Sequence, residues 1–351
     1  MHFVLGDFAL NWDGPEDQAY YFVFDETFFI LVPVETGLWR VVVKHDGPVS
    51  KNTAIGANEI TDIVSSYMGS NFFNGEPRWI SRAPFYMRIC DRIKQGRLLL
   101  AGDAAHLFSP IGGTGMNTGI QDALNIAWKL AYCFHGYASD ELLDSYASER
   151  LSVIHMNALA TDQSTRLISR IDRDPEKVAQ MLPLMKNREV FRKVFPRLYA
   201  GLGFSYVGLF SDGCGISLPG TIRAGEILFV LNKLCDVLGL NLAAKKLPSL
   251  LIIACFENSI ESVVLERLTN LQNDYGEILN TVVSIPSEKM SEISCLYPTL
   301  RILNNIDALL SSGGVNPGSL LLILPDGVVG YSGELKQVSA LCEVLQSRYL
   351  P

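Results

Sequence analysis

The residues best placed to do chemistry lie between Arg97 and Ala131. Arg97–Ala101 is a short apolar run that reads as a buried strand ending at Gly102. That leaves Asp103 at a sheet edge, with a side chain that, when ionised, only accepts hydrogen bonds. A charged acceptor bonds a ligand hydroxyl more strongly than a neutral one does. Further on, Pro110 precedes Gly112, Gly113 and Gly115, three glycines in four positions. Without Cβ atoms in the way, such a turn lets a flat or anionic group approach the backbone closely. Met116 and Asn117 then open a helix, read as about Asn117 to Phe134. Its unpaired N–H groups and positive dipole end favour negative charge. A ligand-free strand-to-helix turn would also use these glycines, so they decide nothing alone.

The elements around this stretch set its position. The helix after Asn117 carries apolar residues at 120, 123, 124, 127, 128, 131 and 134, the stripe of a helix packed on one face. Gln121, Asp122, Asn125 and Lys129 fall on the other side. Further helical regions run from about Asp140 to Arg170 and from Pro175 to Tyr199, and Gly201–Gly225 reads as loop. Before the stretch, Tyr20–Phe24, Phe28–Val34 and Leu38–Lys44 are aromatic or β-branched runs typical of strands, followed by a short helix at Asn58–Met68. After it come a buried strand at Leu250–Phe256, a helix at Ile260–Asp274, a strand at Thr281–Ile285 and a helix closing at Asp307–Ser312. Leu320–Leu324 and Val328–Tyr331 flank the hairpin turn Pro325-Asp326-Gly327, before a last helix at Leu335–Gln346. This order is that of a thioredoxin-like α/β domain. The expected fold is α/β with α+β character, in three parts: a β-sheet remnant over 1–92, a partial Rossmann-like domain over 93–225 and a thioredoxin-like domain over 226–351.

Composition narrows the function. Hydrophobic residues make up 48% of 351 residues and charged ones 19%, enough for sizeable cores. A net charge of −8 argues against a nucleic-acid partner, which needs an excess of Lys and Arg. No apolar run approaches the roughly 20 residues of a membrane-spanning helix, and Met1–Leu10 lacks the basic start of a secretory signal. The seven cysteines (90, 133, 214, 235, 255, 295 and 342) form no Cys-x-x-Cys pair and no zinc spacing. They read as reduced, mostly buried thiols of a cytoplasmic protein.

The whole register is more informative than its glycines. A strand, Gly102-Asp103-Ala104-Ala105-His106, Pro110, Gly112-Gly113-x-Gly115-x-Asn117 and Asp122-Ala123-x-Asn125-x-Ala127-Trp128-Lys129-Leu130-Ala131 follow in one order. This composite resembles the second FAD signature of the class A flavoprotein monooxygenases, the para-hydroxybenzoate and phenol hydroxylase group. Reduced flavin suits such a site, being planar and negative at its N1–C2 carbonyl edge. The resemblance implies that Asp103, in the Gly102-Asp103 pair, binds the ribityl chain and that Pro110 lies beside the isoalloxazine. It also implies that Gly112, Gly113, Gly115, Met116 and Asn117 offer backbone contacts to the pyrimidine edge. His106 matches the family's histidine and is read as a structural hydrogen-bonding group. Glu149 and Arg150 match the following helix and are read as solvated or salt-bridged. The early strands resemble the family's substrate-domain sheet, and the C-terminal third resembles the extension of the phenol and polyketide hydroxylases.

The family's nucleotide-binding Gly-x-Gly-x-x-Gly unit is not found in this sequence. The chain is therefore expected to begin where a full-length enzyme is already under way, with only part of an FAD site. Either another chain supplies the nucleotide-binding half or the protein is a truncated relative. The resemblance implies hydroxylation of a small aromatic substrate, phenolic or polyketide-like, with FAD, NAD(P)H and O2. The alternative is a non-catalytic homologue or interaction subunit with weak or no FAD binding. A thioredoxin-like binding module with unrelated helices in front leaves residues 97–131 unexplained.

Overall fold

The computed structural model describes residues 2–24, 27–45, 56–84, 86–109, 113–168, 206, 222, 226, 231–238, 249–256, 260–304 and 306–349. They fall into two compact units, Met1–Arg88 with Leu107–Gly113 and Ala158–Leu184, and Ile89–His106 with Thr114–Asn157 and Met185–Pro351. The expected helix at 175–199 and the loop at 201–225 lie almost wholly outside the described residues.

The first unit is built on β1 (His2–Ala9), β2 (Tyr20–Val23), β3 (Phe28–Glu35), β4 (Leu38–His45), α1 (Asn58–Met68) and β5 (Trp79–Pro84). The five strands form one antiparallel sheet in the order β2-β3-β4-β1-β5. Period-two alternation sorts its side chains. Val4, Phe8, Phe29, Leu31, Val41 and Val43 pack with Ile60 and Val64 of α1, while Phe3, Phe28, Ile30 and Val42 cluster on the opposite face. Gly6 sits where α1 crosses the sheet: a Cβ there would meet the Phe8 ring at 2.6 Å and Ile60 Cδ1 at 3.0 Å. The sequence reading found β2, β3, β4 and α1 but gave no strand at β1, which lies next to β4 inside the sheet.

Four two-residue strands follow: β6 (Arg88–Ile89), β7 (Lys94–Gln95), β8 (Leu98–Leu99) and β9 (His106–Leu107). Then come α2 (Thr114–Phe134), α3 (Glu141–Ile168) and α4 (Leu231–Leu238). The C-terminal part comprises β10 (Leu250–Cys255), α5 (Ser262–Tyr275), β11 (Leu279–Ser284), α6 (Met290–Leu296), β12 (Arg301–Leu303), α7 (Asp307–Ser312), β13 (Ser319–Ile323), β14 (Val329–Glu334) and α8 (Val338–Arg348). Its sheet runs β12-β11-β10-β13-β14. β10, β11 and β12 are parallel, and β13 and β14 are antiparallel additions. The order β11-β10-β13-β14 is that of a thioredoxin-like core, with β12 added at its edge. Every residue of β10 and β11 is buried, as two-sided cover requires. One core joins this domain to the helix pair: Trp128 and Tyr132 of α2 and Leu142 and Val153 of α3 cluster with Leu250, Ile252, Leu268 and Leu341.

Three sequence expectations are corrected. The run Arg97–Ala101 is not a buried strand: only Leu98–Leu99 is extended, in a hairpin with Lys94–Gln95, and Leu98 is 74% exposed. Asp103 is therefore not at a sheet edge. The helix stripe is inverted, because α2 buries Thr114, Thr118, Asp122, Asn125, Trp128, Lys129 and Tyr132. Met116, Ile120, Leu124 and Phe134 instead stand 74%, 51%, 53% and 86% exposed. None of the six described cysteines is in a disulfide, but only Cys255 of them is buried. Burial still pushes the Cys133, Cys235 and Cys342 thiols up, away from the reactive thiolate. Among the described residues no helix is long and apolar enough to cross a membrane.

Candidate cofactor-binding site

The structure places Gly102-Asp103-Ala104 in a single 3-10 turn. Gly102 has φ +58°, a left-handed backbone that a side chain would strain. Asp103 is exposed on this turn. The turn lies directly against the second turn of α2, where a Cβ on Gly119 would come within 3.2 Å of Gly102 Cα. Two glycines thus permit a backbone-to-backbone approach that brings Asp103 beside the start of α2.

Helix α2 starts at Thr114, three residues earlier than its sequence suggests. Gly115 and Met116 are therefore in its first turn, where N–H groups have no acceptor inside the helix, and Asn117 follows directly. No acidic side chain occupies that turn. Gly113, just before it, has φ +63°, and among the described residues nothing stands within 4 Å of where its Cβ would be. Gly115 and Asn117 are half-buried, and Met116 is exposed. The Thr114 hydroxyl is buried without a partner among the described residues. Pro110 and Gly112 lie outside the described residues. An exposed carboxylate beside the first turn of a helix that carries no acidic side chain there fits a ligand with hydroxyls toward the one and negative charge toward the other.

Beneath this surface lies a buried polar network that the sequence reading did not anticipate. The Asp122 carboxylate accepts from Gly102 N–H at 3.0 Å, from His106 Nε2 at 2.7 Å and from Arg150 Nε at 2.7 Å. Because an ionised carboxylate only accepts, His106 donates from Nε2 to Asp122. Arg150 also donates to Thr118 O at 3.2 Å and to the Tyr206 hydroxyl at 2.8 Å. A second cluster sits farther along α2. Lys129 Nζ donates to Glu149 at 2.6 Å and to the Ser145 hydroxyl at 2.7 Å. The Asn125 amide donates to both Glu149 and Asp326, each at 2.8 Å. Glu149 and Arg150 are thus salt-bridged and buried rather than solvated. The sequence did hold a signal: Asp122 and Lys129 on one helix are opposite in charge to Arg150 and Glu149 on the next.

Burial pushes the Asp122 carboxyl up, but the His106 hydrogen bond and the Arg150 charge outweigh it and hold it below its ordinary value of 3.8. The sign for stability follows. A depressed folded-state value means that the unfolded chain binds more protons, so the Asp122 contribution is present above the ordinary carboxylate range. It is lost as pH falls through the lower folded value. The melting temperature should therefore drop below about pH 4, and this drop should be smaller in Asp122→Asn.

Residues 2–160 match the family profile described as FAD binding domain. Among curated relatives, 6-methylpretetramide 4-monooxygenase of Streptomyces rimosus is 29% identical over 98% of this chain and 61% of its own length. Pentachlorophenol 4-monooxygenase of Sphingobium chlorophenolicum is 33% identical over 41% of this chain and 27% of its own. An anhydrotetracycline hydroxylase structure from Streptomyces rimosus superposes over 100% of this chain and 64% of that one, with TM-score 0.66 and 22% identity, which shows the shared fold. The chain is thus similar, over residues 2–160, to FAD binding domains, and the curated relatives named here are monooxygenases. It spans about three-fifths of the length of the first of these relatives.

Proposed function

We propose that this chain forms the flavin-ring side of a monooxygenase that hydroxylates an aromatic ring, phenolic or polyketide-like, with NAD(P)H and O2. The observation that carries this is the close approach of the Asp103 turn to the second turn of α2, beside the helix start. When bound, FAD supplies the redox chemistry, taking reducing equivalents from NAD(P)H and passing them to O2. The protein's part is placement. Asp103 would accept from the ribityl hydroxyls, with Gly102 shaping its turn. The backbone at Gly113, Gly115, Met116 and Asn117 would meet the negative pyrimidine edge, with Pro110 and Gly112 beside it. The free thiols and the need for NAD(P)H suit a cytoplasmic setting.

The ring side alone should recognise riboflavin, which lacks the adenine dinucleotide portion. Titration of the purified chain with riboflavin is expected to quench flavin fluorescence and shift its visible absorbance. Asp103→Ala should weaken binding by about tenfold, the loss of one charged hydrogen bond. Unchanged spectra for riboflavin and FAD at every protein concentration would sink the proposal.

The partner reading rests on α2. Met116, Ile120, Leu124 and Phe134 make an exposed apolar stripe, and isolated soluble units rarely leave such a helix face open to water. We assign it to a polypeptide that supplies the nucleotide-binding half. The relatives' extra length supports this assignment. Ile120→Glu with Leu124→Glu should leave the chain's own stability within about 0.5 kcal/mol, since both side chains are exposed. It should abolish pull-down of a separately expressed nucleotide-binding half; undiminished pull-down would refute the assignment.

A further inference from the structure

We propose that Asp122 is the positioning residue of the candidate flavin site, its buried carboxylate fixing the Gly102–Ala105 turn on which Asp103 stands. The inference rests on the flavin reading above but concerns a residue that would not touch the ligand.

The turn is tethered at each end. Tyr146 donates its hydroxyl proton to Leu100 O at 2.7 Å, before the turn. Ala105 O accepts from Cys90 N–H at 2.9 Å, after it. Inside it, Ala105 N–H closes onto Gly102 O at 2.8 Å, and Gly102 N–H reaches Asp122 at 3.0 Å. Asp122 thus holds the turn at its first residue, where the backbone is left-handed. It lies one helical turn beyond Gly119, the residue against which Gly102 packs. One face of α2 therefore supplies both the surface that seats the turn and the acceptor that locks it. Arg150 and His106 complete the arrangement by holding the carboxylate from the other sides.

The competing explanation is a buried ion pair that merely joins α2 to α3. The Lys129–Glu149 pair is the natural control, since it joins the same two helices at similar depth and makes no bond to the turn. Asp122→Asn keeps the shape but turns an amide NH2 toward donors, so at least one of its three partners is lost. Glu149→Gln disturbs the control pair in the same way.

Hydrogen exchange of the flavin-free full chain separates the two. Asp122→Asn is expected to speed exchange in the segment 100–106 by about tenfold, the cost of one hydrogen bond to a charged group. Glu149→Gln, compared where the two variants have lost equal stability, should leave that segment near wild type. Equal acceleration in both variants would overturn the proposal. Should Asp122→Asn fail to fold, Gly119→Ala takes its place. It keeps every charge and favours the helix, yet its Cβ would press on Gly102 Cα at 3.2 Å. It should loosen 100–106 and weaken riboflavin binding without lowering the melting temperature; wild-type exchange there would refute the inference. If wild-type protein binds no riboflavin, the flavin reading falls, and the exchange comparison still decides whether Asp122 fixes the turn.

Discussion

Arg150→Met should destabilise the protein by about 3–5 kcal/mol, the range for removing one partner of a fully buried ion pair. The guanidinium bonds Asp122, Thr118 O and Tyr206 at once, and nothing in the buried site can replace it. Methionine keeps most of the stem volume, so the loss reports the charge and its hydrogen bonds rather than a cavity. Burial already pushes the Asp122 carboxyl up; without Arg150 it keeps only the His106 and Gly102 bonds against that push. The pair gives the cleaner measurement. Combining Arg150→Met with Asp122→Leu should cost less than the sum of the single variants, because the second change removes the stranded charge. Urea denaturation measures all three proteins, and a single-variant loss under about 1 kcal/mol would contradict the burial of this pair.

Trp128→Ala should cost a similar amount, about 3–5 kcal/mol, for a different reason. The indole is fully buried, edge-on to Tyr132 at 5.4 Å and tilted against Tyr349 at 6.1 Å. Its Nε1–H donates to Asp326 at 3.2 Å. Truncation therefore opens a cavity and removes a donor from the half-buried Asp326 carboxylate, whose proton affinity desolvation has already raised. Trp128→Phe separates the two effects, keeping most of the apolar area and losing only the donor, for about 1 kcal/mol. Because Trp128 lies in the core that the helix pair shares with the C-terminal sheet, both should melt in one transition. Helix pair and C-terminal domain unfolding at different urea concentrations would show that the core is not shared.

Much of this architecture was legible because simple periodicities survive where packing is simple. The buried strand Leu250–Cys255 reads as an unbroken apolar run, and Asp326-Gly327 marked the hairpin, where Gly327 adopts φ +84°. The composite from Gly102 to Asn117 was legible as a register of residue types. Helix α2 was not, for a physical reason. Amphipathic analysis assumes that charge faces water, yet Asp122 and Lys129 are neutralised by Arg150 and Glu149 on a helix that lies later in the chain. An apolar stripe then remains outside. β1 was passed over because its small, aromatic and acidic residues break the strand pattern, with Gly6 needed for α1 and Asp7 paired to Arg40 at 2.8 Å.

The bond from Asn125 to Asp326 spans 201 positions of sequence. At ordinary ribosomal speeds of about 5–20 residues per second, roughly 10–40 s separate the emergence of donor and acceptor. Throughout that interval the indole of the nascent helix lacks its acceptor and the Asn125 amide has only Glu149, whereas the partners of its inward charges, Arg150 and Glu149, emerge early. The last hairpin to be synthesised is thus the latch that lets the middle of the polypeptide finish folding.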